Sequence, residues 1–241
     1  MEYRLSFNTG YFSLGADYTM RLSSLLRLLQ EAAILHAEKI GFGDKAMADL
    51  GLCWVLYKLE LDVSRYPGYR EEVTVVTRLG GRKGFKAFRH FDVFCGEEHL
   101  ASAFSAWFAL DLKTRKPVHF KGSLGRQLFP DGMVLPEAAV DEWKPEKEVP
   151  CPGEIRITTR CADIDTNGHV NNAIYADYLE TALAFQEESH PRLKSYKIQF
   201  KHEIPVTAAE VAVEIGFEKP DWIFRISAGD TVAACGEVSF F

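Results

Sequence analysis

"YKIQF", residues 196 to 200, repeats "YKLEL" at 57 to 61, and that interval of 139 residues sets the reading of the whole chain. Outward from the pair the match continues: Pro67 and "EVTVV" at 72 to 76 recur as Pro205 and "EVAVE" at 210 to 214, now at an interval of 138. Ahead of each run lies a segment with helical spacing. In "LSSLLRLLQEAAILHAEKIGFG" the residues Leu22, Leu25, Leu26, Leu29, Ala33 and His36 recur every three or four positions up to a stop at Gly41; in "NNAIYADYLETALAFQEE" Ile174, Tyr175, Tyr178, Leu179, Ala182 and Leu183 do the same. "CWVLYKLELDVSRYPGYREEVTVVTRL", "FKAFRHFDVFC" and "LASAFSAWFALDL" then alternate aromatic and β-branched runs with glycine-containing turns, the pattern of successive antiparallel strands. One order of elements met twice predicts a duplicated unit with a small insertion or deletion between the copies.

The fold class that follows is α+β: two tandem units, each a long helix wrapped by an antiparallel sheet, joined edge to edge into one continuous sheet that buries both apolar helix faces. Between the copies the composition changes. Pro117, Pro130, Pro136, Pro145, Pro150 and Pro152, six of the ten prolines, fall in a stretch without periodicity, which reads as a linker. The expected domains are residues 1–120, a linker over 121–153 and a second unit over 154–241.

Bulk composition narrows the function classes. With 47% hydrophobic and 26% charged residues the chain is an ordinary globular sequence, and a formal charge of −6 argues against general nucleic-acid binding. Five scattered cysteines without C-x-x-C suggest neither a disulfide framework nor a zinc ribbon and fit a reducing compartment. "MEYRLSFNTGYF" lacks a basic region followed by an apolar core, and no apolar run approaches the ~20 residues needed to span a bilayer, so a cytoplasmic protein without a membrane span is expected.

Chemistry concentrates in "ADIDTNGHVNNAIYADYLETA", residues 162 to 182, between the strand candidate "EIRITTRC" and the second helix. Asp163, Asp165, Asn167 and His169 lie on a loop entering a helix N-terminus. In an extended segment 165, 167 and 169 point to one side, so a carboxylate, a carboxamide and an imidazole would converge where free N–H groups favour negative charge. Asp and Asn also cap helices and make turns, and Asn171 or Asn172 can simply cap this one. The first copy is an internal control: aligning "LLQEA" (28–32) with "YLETA" (178–182) sets Asp17, Thr19 and Met20 opposite Asn167, His169 and Val170. A trio demanded by the fold would be present in both copies.

The run D-x-N-x-H-V-N-N-x-x-Y, Asp165 to Tyr175, resembles the signature of acyl-acyl-carrier-protein thioesterases, whose fold is a tandem hot dog. The likeness extends to "LLQEAAILHAEKIGFG" and "LGLCWVLYKLELDVSRYPGYREEVTV" in the first half. It implies Asp165, Asn167, His169 and a strand glutamate at Glu203, in "QFKHEIP", as catalytic residues. Plant members often carry a cysteine after that glutamate; here the position is Ile204, so a Cys-His-Asn triad is not expected. The implied chemistry is carboxylate-assisted hydrolysis: Glu203 or Asp165 deprotonates water or attacks directly, His169 orients or relays, and Asn167 with helix amides holds the carbonyl oxygen.

The resemblance also places an acyl chain in the first unit, with Trp54, Leu56, Phe104 and Phe108 as wall residues. The segment "RLGGRKGFKAFRH" (78–90) carries Arg78, Arg82, Lys83, Lys86 and Arg89 with no acidic residue, a patch suited to an acidic acyl carrier protein, with Arg82, Lys83 and Lys86 as its contacts. No cofactor and no metal are expected, since no H-x-x-x-H or comparable spacing occurs. The assembly is expected to be a monomer or homodimer. The competing expectations are an acyl-coenzyme A thioesterase and a non-catalytic acyl-binding hot-dog protein; a hydratase would need D-x-N-P-x-H, which is absent.

Overall fold

The structure is a computed structural model and describes residues 2–120, 122–129, 142–145, 149, 153–187, 192–218 and 221–241. Four of the linker prolines, Pro130, Pro136, Pro150 and Pro152, lie outside the described residues. The chain forms two compact units, residues Met1–Met20 with Arg27–Trp143, and Arg21–Leu26 with Lys144–Phe241. No helix among the described residues is long and apolar enough to cross a membrane.

In the first unit the strands β1 (Glu2–Asn8), β2 (Leu52–Val63), β3 (Glu72–Lys83), β4 (Lys86–Cys95) and β5 (Glu98–Asp111) lie in the order β1-β3-β4-β5-β2. Every neighbouring pair is antiparallel. Helix α1 (Leu22–Lys39) buries Leu22, Leu25, Leu29, Ala32, Ala33 and His36, which is the face its spacing marks as apolar. It stops where the sequence says it should. Phe42 N–H reaches Ala37 O, Gly41 N–H reaches Glu38 O, and Gly41 takes φ +81°, a left-handed cap that a side chain would strain. Helix α2 (Asp44–Asp49) follows, and α3 (Gly122–Leu128) forms within the proline-rich stretch. Leu124, Leu128 and Phe129 pack with Phe42, Met47, Ala87 and Phe120.

The second unit repeats the plan with β6 (Gly153–Thr158), α4 (Ile174–Glu187), β7 (Leu193–Phe200), β8 (Glu210–Glu218), β9 (Asp221–Ala228) and β10 (Thr231–Phe240). Its strands run β7-β10-β9-β8-β6, again antiparallel throughout. Ile174, Tyr175, Tyr178, Leu179, Ala182 and Leu183 are all buried on α4.

The two copies match bond for bond, but the matching letters are out of register. Val63 pairs with Ala101 and Ser64 N–H bonds Leu100 O; in the second unit Phe200 pairs with Ala234 and Lys201 N–H bonds Ala233 O. Val63 therefore corresponds to Phe200, and Leu61 to Ile198. "YKLEL" and "YKIQF" are displaced by two residues from structural equivalence, and since strand side chains alternate faces with a period of two, Leu59 and Leu61 still face inward as Ile198 and Phe200 do. A bulge between Leu56 and Lys58 leaves Tyr57 on the outer face, unlike the buried Tyr196. Likewise Thr19 bridges Gly68 and His169 bridges Pro205, so Pro205 takes the place of Gly68 and not of Pro67.

Candidate active site

Residues 164 to 170 form a tight hairpin. Ile164 bridges Val170, Asp165 N–H donates to His169 O at 2.9 Å, and Gly168 N–H donates to Asp165 O at 3.0 Å. Gly168 closes the turn at φ +82°. The segment is thus folded back and not extended, which overturns the alternation argument: Asn167 stands exposed at the tip, and it is its backbone N–H that meets Asp165 Oδ1, at 2.8 Å. Folding back instead sets Asp165 against His169, with Oδ1 3.7 Å from Nδ1. The dipeptide Asn167-Gly168, a strong hairpin signal, carried this information in the sequence.

A second pair of bonds brings in the glutamate. Val170 N–H donates to Ile204 O at 2.9 Å and His169 bridges Pro205, fixing the hairpin to the segment that follows β7. Glu203 Oε1 then lies 4.0 Å from His169 Nε2. The imidazole sits between two carboxylates drawn from different parts of the unit, with its Nδ1 also 3.4 Å from Val170 O. Side-chain exposures of 16% for Asp165, 21% for His169 and 47% for Glu203 leave the histidine flanked by one sheltered and one open carboxylate.

Asn171 contributes more than capping. Its Oδ1 accepts Ala173 N–H at 2.9 Å at the mouth of α4, while its Nδ2 reaches Asp165 Oδ2 at 3.4 Å. Beneath the site Ile204 is fully buried, and burial pushes the Tyr175 phenol up, opposed by a backbone hydrogen bond from Ile204. Asp163 serves the fold. It is 1% exposed and accepts Arg160 N–H, the Arg160 guanidinium and Tyr178 O–H. Burial alone would raise its pKa, yet those donors hold the carboxyl below its usual range.

The first copy builds the same hairpin without the chemistry. Gly15 N–H donates to Thr19 O at 2.8 Å, Tyr18 N–H to Gly15 O at 3.2 Å, and Met20 N–H to Pro67 O at 2.7 Å. Gly15, Asp17, Thr19 and Tyr66 thus occupy the places of Asp165, Asn167, His169 and Glu203. Asp17 serves the turn by accepting from Thr19 N–H and Thr19 O–H, and the hairpin folds with no carboxylate or imidazole in the places of Asp165, His169 and Glu203, so their presence in the second copy answers to something other than folding.

The residues expected to wall an acyl chain divide between two faces. Arg89 bonds His36 of α1, which identifies the inner face of the first sheet. Arg89 pairs with Ser105, and Trp54 and Leu56 pair with Ala109 and Trp107, so Trp54 and Leu56 face inward. Trp54 donates Nε1–H to Phe42 O and stacks on Phe120. Phe104 and Phe108, on the alternate positions of β5, face outward, where Phe104 meets Phe88 and Phe108 meets Tyr57. These two do not share a wall with the others.

The basic segment is also divided. Arg89 is buried on the inner face and Arg78 is paired with Asp92. Arg82 turns its Nη1 toward Gly125 of α3, where a Cβ would stand 2.8 Å from it. Lys83 and Lys86 face each other across the hairpin closed by Gly84 and Phe85, Lys83 exposed and Lys86 half-buried over the Tyr57 ring. Among the described residues no group of three or more His, Cys, Asp and Glu is arranged to hold a metal ion.

Residues 1–124 match the acyl-ACP thioesterase N-terminal domain and residues 148–219 the acyl-ACP thioesterase C-terminal domain. The chain is 28% identical to a chloroplastic acyl-[acyl-carrier-protein] hydrolase of Cuphea viscosissima, across 95% of this chain and 59% of that protein. It is 30% identical to a chloroplastic palmitoyl-acyl carrier protein thioesterase of Gossypium hirsutum, across 82% of this chain and 51% of the relative. The chain thus spans between half and three fifths of the length of these relatives. Among solved structures, an acyl-ACP thioesterase from Bacteroides thetaiotaomicron superposes with a TM-score of 0.82 at 21% identity, covering 100% of this chain and 98% of the other. The 12:0-ACP thioesterase of Umbellularia californica gives 0.84 at 20% identity, covering 100% and 97%. These likenesses establish the fold as two tandem hot-dog units, and with both domain matches in sequence order the chain belongs to the acyl-ACP thioesterase family.

Proposed function

We propose that the protein hydrolyses the thioester of fatty acyl-acyl carrier protein, releasing the free fatty acid in fatty acid biosynthesis. The observation that carries this reading is His169 set between Asp165 and Glu203 in the one copy that bears all three, in a chain of this family. Glu203 is the base. It is the more open carboxylate and faces Nε2, whereas Asp165 already accepts Asn167 N–H and neighbours the Asn171 amide. Glu203 takes a proton from water as the oxygen bonds to the thioester carbon; the C–S bond then breaks with its electron pair going to sulfur. The proton returns to the thiolate through His169, which Asp165 orients. The Asn167 carboxamide, standing clear of the hairpin, donates to the carbonyl oxygen. Lys83 and Lys86 meet the acidic carrier.

Steady-state hydrolysis of acyl-carrier-protein and acyl-coenzyme A panels tests the reaction and the carrier together. His169→Ala and Glu203→Gln are expected to lower kcat by about 10²- to 10⁴-fold; wild-type inactivity on every thioester would end the reading. In ¹⁸O water a single turnover should place label directly in the product acid. Label retained in Glu203 instead would establish carboxylate attack. A cytoplasmic location and a monomeric or homodimeric state belong to the same proposal, supported for the location by free Cys53, Cys95, Cys161 and Cys235. Cell fractionation and sedimentation velocity test them.

A further inference from the structure

Beneath α1, on the inner face of the first sheet, three neighbouring strands turn polar side chains into the core. Thr77 of β3, Arg89 of β4 and Ser105 of β5 are 0%, 6% and 0% exposed, and His36 of α1 is 1% exposed above them. Arg89 Nη1 donates to His36 Nδ1 at 2.8 Å and to Thr77 Oγ1 at 3.2 Å. Because Nδ1 accepts, the imidazole hydrogen sits on Nε2, and that buried atom has no acceptor among the described residues. Both of these partners are neutral, and among the described residues no carboxylate is paired with Arg89.

Folding does not ask for this cluster, as the second copy makes plain. The rows Thr77-Phe91-Ala103 and Leu79-Arg89-Ser105 correspond to Ile215-Phe224-Gly236 and Phe217-Trp222-Val238. Where the first copy has Thr77, Arg89 and Ser105, the second has Ile215, Trp222 and Val238. An apolar row closes the same sheet, and a buried cation without a counter-charge is costly wherever nothing compensates it. Next to the polar floor the inner face is apolar and only partly covered: Trp54, Leu56, Leu79 and Trp107 are all half-buried there.

We propose that Arg89 and His36 form a subsite for an acceptor oxygen carried on the acyl chain, so that the first unit selects chains bearing a hydroxyl, keto or carboxylate group over plain hydrocarbon. The inference rests on the proposed hydrolysis and on the inner face as the chain's path. A chain lying along Trp54, Leu56 and Trp107 meets the unpartnered His36 Nε2–H beside the Arg89 guanidinium at the floor, and an oxygen there would accept from both. A methyl or methylene group would leave the imidazole N–H unpaired and the guanidinium without an added acceptor.

The test is a matched panel of twelve-carbon thioesters, saturated or carrying a hydroxyl or keto group at successive carbons or a terminal carboxylate, hydrolysed by wild type, Arg89→Met and Arg89→Lys. Wild type should favour one oxygen-bearing chain over the saturated chain by at least about tenfold in kcat/KM. Arg89→Met should erase that ratio by gaining on the saturated chain, and Arg89→Lys should retain part of it; the favoured arm identifies the oxygen. An equal ratio in wild type and folded Arg89→Met overturns the subsite. If Arg89→Met does not fold, calorimetric binding of the corresponding free acids to wild type decides, and equal affinity for the oxygenated acids and dodecanoate overturns it. If no thioester is cleaved at all, the hydrolysis reading has failed while the binding comparison still decides the subsite.

Discussion

Asp163 and Asp165 stand two positions apart and do different work. Asp163 is held by three donors in the interior, so Asp163→Asn should lower the unfolding free energy in urea by roughly 1–3 kcal/mol. Asp165→Asn keeps an acceptor for the turn and should change stability by no more than about 0.5 kcal/mol while lowering kcat at least tenfold. His36 adds a pH signature. Burial, reinforced by the neighbouring Arg89 charge, depresses its pKa from 6.5 to about 4. The unfolded chain therefore binds the extra proton first, and the stability due to neutral His36 is complete above pH 6.5 and declines as pH falls toward about 4. His36→Gln, which keeps an acceptor for Arg89, should flatten that part of the pH-stability curve measured by chemical denaturation. A decline in the variant as steep as in wild type would show that other groups cause it.

At the level of elements, two hairpins of one shape carry different turn residues. Tyr18 occupies φ +60° where Gly168 occupies φ +82°. A left-handed conformation costs a side chain about 1–2 kcal/mol, and open space surrounds Gly168, so Gly168→Ala should cost about 1 kcal/mol by backbone strain alone. Since that turn closes Asp165 onto His169, kcat should fall with it, while Tyr18→Gly in the first copy should leave kcat unchanged; both are read from paired stability and kinetic measurements. The β3–β4 hairpin carries a separate prediction. Exchanging Lys83 and Lys86 for glutamate should lower kcat/KM about tenfold for carrier-bound substrate and little for short soluble thioesters. Equal losses on both would remove the hairpin from carrier docking.

Across the whole molecule a duplicated fold has given its copies different chemistry: acids and an imidazole in the second, a buried guanidinium and a second imidazole in the first. If recognition and hydrolysis are divided in this way, Glu203→Gln should lose turnover but keep wild-type affinity for the preferred free acid, and Arg89→Met should do the reverse. Their free-energy effects on binding should then add to within about 0.5 kcal/mol in the double variant, by calorimetry. The sequence by itself determined the duplication, both helices and their buried faces, the stop at Gly41 and the antiparallel strands, because the helical and strand periods are local properties of the chain. It marked Asp165 and His169 as candidates, but the folded-back hairpin, not the alternation of an extended segment, sets them together. Only the tertiary structure decided the register of the copies, since a two-residue slip leaves the faces intact outside the bulge. It alone turned Asn167 outward, put Asn171 on Asp165, carried Arg89 into the core away from Lys83, and separated Phe104 and Phe108 from Trp54. Each of these depends on which strand lies beside which and on where a turn folds back, and such relations join residues far apart in sequence that no local period connects.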